Sequence, residues 1–199
     1  MISAADKVYD RIVRWGYGSA FVARDFMRIV SRGSVGVALS TLMKEGHIRR
    51  VIHGVYDYPA RREDGEFEKP DFHRVVRAYE RRVQDKIRPD GAVSTYLVGI
   101  SPKIPGEIVY ITDGPKRCLN IKESPVYLRT APEEEFFGDH RSHSVISALM
   151  HVGSQNVDEE VLSCLQQYLT RKAHRKTLLK NSKKAPDWIK DIVSDLCES

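Results

Sequence analysis

Cysteine is scarce in this sequence: Cys118, Cys164 and Cys197 are odd in number and far apart among 199 residues. That argues against a disulfide framework, and with no Cys-x-x-Cys pair the spacing of a structural zinc site or a dithiol redox centre is missing as well. Long apolar runs are lacking too; none approaches the roughly 18 residues that a membrane helix needs. The opening residues, Met1-Ile2-Ser3-Ala4-Ala5-Asp6-Lys7, do not follow the basic-then-apolar pattern of a secretion signal. A reduced, cytoplasmic protein with no membrane partner is the expectation. Serine nucleophile elbows, phosphate-binding glycine loops and dinucleotide fingerprints do not occur, so the common sequence signatures of hydrolases, nucleotidases and dehydrogenases are excluded.

What is present is a globular composition. Hydrophobic residues make up 41% of the chain, enough to build a core and exclude wholesale disorder. Thirty-two Lys and Arg against 27 Asp and Glu leave a net charge of +5. The excess is uneven. Residues 1–60 hold nine basic and five acidic residues, a net of +4, whereas residues 91–140 hold five and seven, a net of −2. Such a bias is compatible with a nucleic-acid partner for the N-terminal part.

The first 60 residues carry the clearest pattern. Ser3 and Asp6 form the two ends of a capping box for a helix over residues 3–15, with Val8, Ile12 and Val13 recurring at helical spacing. Gly16 and Gly18 stop it. Phe21-Val22 is a short apolar pair, and residues 23–30 read as a second short helix. Ser31-Arg32-Gly33 turns the chain, and Ser34 is the expected cap of a third helix running to Glu45 with Val35, Ala38, Leu39 and Leu42 inward. Ile48 to Ile52, His53-Gly54 and Val55 to Tyr58 read as a two-stranded ribbon that Pro59 ends. Helix, helix, turn, helix and ribbon is the order of a winged helix-turn-helix, whose third helix fits the DNA major groove, where base edges carry a full donor and acceptor code.

On that reading Ser34, Ser40, Thr41 and Lys44 face outward on the third helix, with Arg32 at its N-terminus, where backbone amides also favour phosphate. Arg49, Arg50 and His53 lie on or beside the ribbon, and Arg11 and Arg14 on the first helix are further candidates for phosphate. Val37 points outward as well, and Gly36 weakens the helix relative to alanine.

Residues 59–70 read as a charged linker. Beyond it, residues 71–199 are expected to form a mixed α/β domain with a small antiparallel sheet and a helical tail, so the fold class is α+β. A helix over 71–86 carries Arg74, Arg77, Arg81 and Arg82 on its polar side. Arg88-Pro89-Asp90-Gly91 reads as a turn, Ile108–Thr112 as a strand, and Cys118 as a small core residue on a further strand. Helices are expected over 143–151, 158–169, 171–181 and 187–197. His140, His143 and His151 do not match metal-ligand spacing and read as capping or solvated residues; Glu107, Asp113 and Lys122 are the only set resembling a metal-dependent nuclease, at loose spacing. No cofactor and no enzymatic activity are expected.

Two blocks resemble the AbiEi-like antitoxin family of type IV toxin–antitoxin systems. The first is Ala38-Leu39-Ser40-Thr41-Leu42-Met43-Lys44-Glu45-Gly46-His47-Ile48-Arg49-Arg50 followed by Gly54-Val55-Tyr56-Asp57-Tyr58-Pro59. The second is Leu97-Val98-Gly99-Ile100-Ser101, Pro105, then Val109-Tyr110-Ile111-Thr112-Asp113-Gly114-Pro115 and Arg117. The resemblance implies a DNA-binding antitoxin that represses its own operon and opposes a nucleotidyltransferase toxin without forming a stable complex with it. Residues 1–58 then bind operator DNA and the C-terminal domain carries the antitoxin activity. The alternatives are a stand-alone winged-helix regulator and, less favoured by the spacing, the metal-dependent nuclease.

Overall fold

A computed structural model describes residues 2–122 and 124–198, the side chain of Glu198 excepted. The fold is mixed α and β, with two small sheets. It divides into two compact units: residues 1–85 together with 119–125, and residues 86–118 together with 126–199.

In the first unit, α1 (Ala4–Trp15) begins at the expected capping box: the Asp6 amide donates to Ser3 Oγ at 3.1 Å, and the Ser3 amide donates to Asp6 Oδ2 at 2.9 Å. Gly16, at φ 81°, ends the helix. Strand β1 (Ala20–Phe21) and a 3₁₀ turn (Ala23–Phe26), which replaces the second helix expected over 23–30, lead to α2 (Arg32–Lys44). The cap of α2 is Ser31, not Ser34. Ser31 has the extended backbone a cap requires, and its hydroxyl accepts the Ser34 amide at 3.3 Å. The helix therefore starts earlier than expected, and Arg32 and Gly33 lie in its first turn. Strands β2 (Arg49–Ile52) and β3 (Val55–Asp57) form the ribbon, turning at Gly54, whose φ of 73° suits glycine. The sheet order is β1-β3-β2, with both pairings antiparallel. Val8, Ile12, Phe21, Phe26, Leu39 and Leu42 are at the centre of its core.

Residues 59–70 are not a featureless linker. Arg61 and Phe67 bridge, the Arg62 amide donates to the Glu66 carbonyl at 2.7 Å, and the Glu68 amide donates to the Ala60 carbonyl at 2.9 Å, closing a short hairpin. Helix α3 (Phe72–Val83), capped by Asp71, belongs to the same unit. It buries Val75, Val76, Ala78 and Tyr79, and Arg81 fixes it by donating to both Asp25 oxygens at 3.0 Å and to the Ala20 carbonyl at 3.1 Å.

The second unit opens with β4 (Ile87–Pro89) and α4 (Gly91–Leu97). The expected turn at Arg88–Gly91 is instead a strand end and a helix cap. Pro89 is tolerated because β4 is an edge strand, and Asp90 caps α4. Strands β5 (Ile108–Thr112), β6 (Arg117–Ile121) and β7 (Ser124–Thr130) complete a sheet of order β4-β5-β7-β6. The expectation of an antiparallel sheet is corrected: β4 and β5 are antiparallel, but β5 and β7 pair in parallel, from Ile108 with Val126 to Thr112 with Thr130. The chain passes out to edge strand β6 and returns, so β7 inserts in the same direction as β5. Cys118, expected in the core, is exposed on β6.

Helices α5 (His140–Val152), α6 (Glu159–Tyr168), α7 (Lys172–Asn181) and α8 (Asp187–Glu198) form the tail. Their core centres on Ile146, Leu149, Leu165, Leu178, Ile189 and Val193. His143 is neither solvated nor a cap. It is buried on α5, with Nε2 3.0 Å from the Pro89 carbonyl and Nδ1 accepting the Phe137 amide at 3.3 Å. Among the described residues no helix is long and apolar enough to cross a membrane.

Candidate nucleic-acid interface

Helix α2 has two faces. Val35, Ala38, Leu39 and Leu42 are buried, as their spacing predicts. The opposite face is open: Arg32, Gly33, Gly36, Val37 and Lys44 are exposed, and Ser34, Ser40 and Thr41 are half-buried beside them. Val37 is 68% exposed, unusual for a valine in a helix with a well-formed apolar side. The helix contains no acidic residue, so the basic ends Arg32 and Lys44 are not offset along its length.

Gly33 and Gly36 are notable for what does not surround them. A methyl group built at either position meets no atom within 4 Å beyond its chain neighbours and the helix's own backbone, and neither takes the positive φ that would require glycine. Gly36, in the helix interior, costs about 0.8–1 kcal/mol of helix stability relative to alanine. Nothing inside the fold asks for them, and together they leave bare backbone on the exposed face. Sequence reasoning passes over Gly33 and the 38%-exposed Met43, because neither bears a group with recognisable chemistry.

The ribbon separates the two expected arginines. Arg50 is exposed at the tip, where its Nη2 meets His53 Nδ1. Arg49 is half-buried and directed to the other face. Its Nε lies 2.9 Å from Asp57 Oδ1 and its Nη2 2.8 Å from Asp57 Oδ2; Nη2 also donates to the Glu68 carbonyl at 2.7 Å. Arg49 and Asp57 are cross-strand partners in the β2–β3 register, so backbone pairing brings the charges together. Burial pushes the Asp57 carboxyl above its ordinary range, opposed by the Arg49 guanidinium. Arg49 is therefore held in a buried ion pair, whereas Arg50 is exposed and meets the His53 ring.

On α1, Lys7, Arg11 and Arg14 are exposed and follow one another at four- and three-residue spacing. With Asp10 and Ile29 they line a surface depression of about 360 Å³. The arginines of α3 serve the fold: Arg81 holds Asp25, and Arg74 reaches the Tyr17 carbonyl at 3.4 Å as well as Asp71.

The Asp113 carboxylate accepts the Lys86 amide at 2.7 Å, and no group of three or more His, Cys, Asp or Glu side chains is placed to hold a metal among the described residues. His143 has both ring nitrogens engaged, and burial holds its pKa down at about 4, so it is a neutral internal strut.

A family profile matches residues 7–178. The chain belongs to the DUF6088 family. The description of that family is one of unknown function, and the match spans α1 through most of α7. No curated protein matches this DUF6088 chain. Among solved structures, it is similar to the crystal structure of the RV2827C protein from Mycobacterium tuberculosis, with 15% identity and a TM-score of 0.44 over 100% of this chain and 80% of that one.

Proposed function

We propose that residues 1–58 are a winged helix-turn-helix that binds duplex DNA, and that the chain acts as a DNA-binding antitoxin and autorepressor of a type IV toxin–antitoxin system. The observation that carries the DNA reading is α2. It follows the order helix, strand, short turn, helix, ribbon, beside a sheet of order β1-β3-β2, and its outer face is open and free of acid, with Ser34, Ser40 and Thr41 half-buried among exposed residues. A helix with such a face fits a major groove.

In this reading Ser40 and Thr41 contact bases, with Val37 against a thymine methyl. Arg32, Ser34 and Lys44 hold phosphates at the two ends of α2, and Arg50 and His53 reach the backbone from the ribbon. Arg49 does not touch DNA; through Asp57 it fixes the ribbon that carries Arg50. The bare backbone at Gly33 and Gly36 lets the helix approach the duplex closely. The antitoxin role rests on the likeness of residues 38–59 and 97–117 to AbiEi-like antitoxins.

Two measurements test the halves separately. The purified chain should retard its own promoter duplex in preference to a shuffled duplex, with affinity that falls steeply as salt rises; equal and weak retardation of both contradicts the DNA reading. Co-expression with the adjacent gene should rescue growth if that gene encodes a nucleotidyltransferase toxin. Promoter binding without rescue leaves a stand-alone regulator in place of an antitoxin.

A further inference from the structure

We propose that the second unit carries its own surface for a nucleic-acid sugar–phosphate backbone, built on α7 and the 3₁₀ turn after it, Ser182–Lys184. Residues 171–184, RKAHRKTLLKNSKK, contain seven Lys and Arg and no Asp or Glu. Totals over residues 141–199 hide this, because nine basic residues there face seven acidic ones from neighbouring segments. Six of the seven cations, Arg171, Lys172, Lys176, Lys180, Lys183 and Lys184, are exposed. None of the six forms an ion pair with a described carboxylate, although Asp187 on α8 pairs with Lys190 at 2.8 Å.

The arrangement works against the stability of α7. Lys172, Lys176 and Lys180 succeed one another at four-residue spacing, about 6 Å per step, where like charges repel. Arg171 and Lys172 occupy the N-terminus, the positive end of the helix dipole, and Arg171 supplies no side-chain cap. His174, between these cations, has its pKa lowered by burial and by the positive charges of Arg141 and Arg171. Asp139 acts on His174 in the opposite sense, and Glu133 feels the charge of Lys184, but no described carboxylate pairs directly with the six exposed cations.

The chemistry of the surface selects its partner. Protein interfaces are built on aromatic and apolar anchors and are poor in lysine. Here the one large apolar side chain exposed on α7 is Leu179, at 39%. A helix that lies in a membrane inserts an apolar face, but the apolar side of α7 is already spent: Leu178 is fully buried in the tail core. A row of lysines without anchors fits a repeating anion that is read by charge alone, a phosphodiester backbone. This surface stands apart from the groove-binding role of α2 and does not depend on it.

The test uses the full chain and the variant Lys172→Gln/Lys176→Gln/Lys180→Gln/Lys183→Gln, with thermal melting no lower than that of the wild type as the control for folding. Binding is followed by fluorescence anisotropy across a salt series on random-sequence DNA and RNA duplexes. Loss of four phosphate contacts should flatten the slope of log K against log salt by about 3 to 4 and weaken binding to every sequence by a similar factor. The DNA and RNA arms tell which backbone is preferred. An unchanged slope and affinity overturns the proposal. So does equally tight binding to polyglutamate or to anionic phospholipid vesicles that the same variant loses, since the partner is then an acidic protein or a membrane. The variant Arg32→Ala/Lys44→Ala/Arg50→Ala separates the two readings: if it leaves promoter affinity and its salt dependence untouched, the α2 reading fails while the α7 slope change still stands.

Discussion

The Arg49 guanidinium grips the Asp57 carboxylate across the ribbon, its Nε and Nη2 facing the two oxygens at 2.9 and 2.8 Å. The Asp57 side chain is only 2% exposed and that of Arg49 15%, so the carboxylate is cut off from water and the guanidinium largely so. Removing one partner strands the other. Arg49→Ala should destabilise the chain by about 3 kcal/mol, whereas Arg50→Ala, at an exposed site, should leave stability within about 0.5 kcal/mol. Chemical denaturation checks this, and the double variant Arg49→Met/Asp57→Leu should recover most of the loss. Equal stability of Arg49→Ala and wild type contradicts the pairing as a structural element.

Gly36 offers a case in which stability and binding move in opposite directions. Gly36→Ala should stabilise the fold by about 0.5–1 kcal/mol, because the site is helical, open and not at positive φ. The same methyl should weaken promoter binding about tenfold by holding α2 off the duplex. Melting temperature and promoter affinity measured on one preparation decide it. A variant that is more stable and binds equally well removes close approach from the account.

His143 sets an acid limit on the second unit. Its folded pKa of about 4 lies below the ordinary value of 6.5, chiefly because the ring is buried, with the Arg88 and His140 charges adding to the effect. The unfolded chain then binds the extra proton first. Stability from this group is intact above pH 6.5 and declines as pH falls from 6.5 towards 4, by about 3 kcal/mol in all. His143→Gln should lower stability at neutral pH and flatten its dependence on pH in that window. An unaltered slope in the variant contradicts the assignment.

Local chemistry made much of the fold legible. The Ser3–Asp6 capping box, the ribbon around His53-Gly54 and the strands Ile108–Thr112 and Arg117–Ile121 all follow from patterns within a few residues. What escaped depends on distant partners. Arg88-Pro89-Asp90-Gly91 has turn composition, yet Arg88 and Pro89 end a strand because β5 offers an edge, and Asp90 caps the helix that begins at Gly91. The parallel pairing of β5 with β7 has no signature in either strand. Helix α3 joins the first unit through Arg81 and Asp25, 56 positions apart.

The candidate interface was legible to the same degree. Helical spacing alone set the outward residues of α2, because its buried stripe is regular. The division of labour between Arg49 and Arg50 was not legible: adjacent on a strand, they point to opposite faces, and only the register with Asp57 tells which one is occupied.

The central claim is that α2 enters a duplex groove, and Val37, exposed on its outer face, is the place to ask. A photo-crosslinking amino acid at position 37, irradiated with the promoter duplex, should form an adduct with a base inside the protected site and none with a shuffled duplex. Promoter retardation with no adduct from position 37 would show that DNA is held by some other surface, and the account would fail.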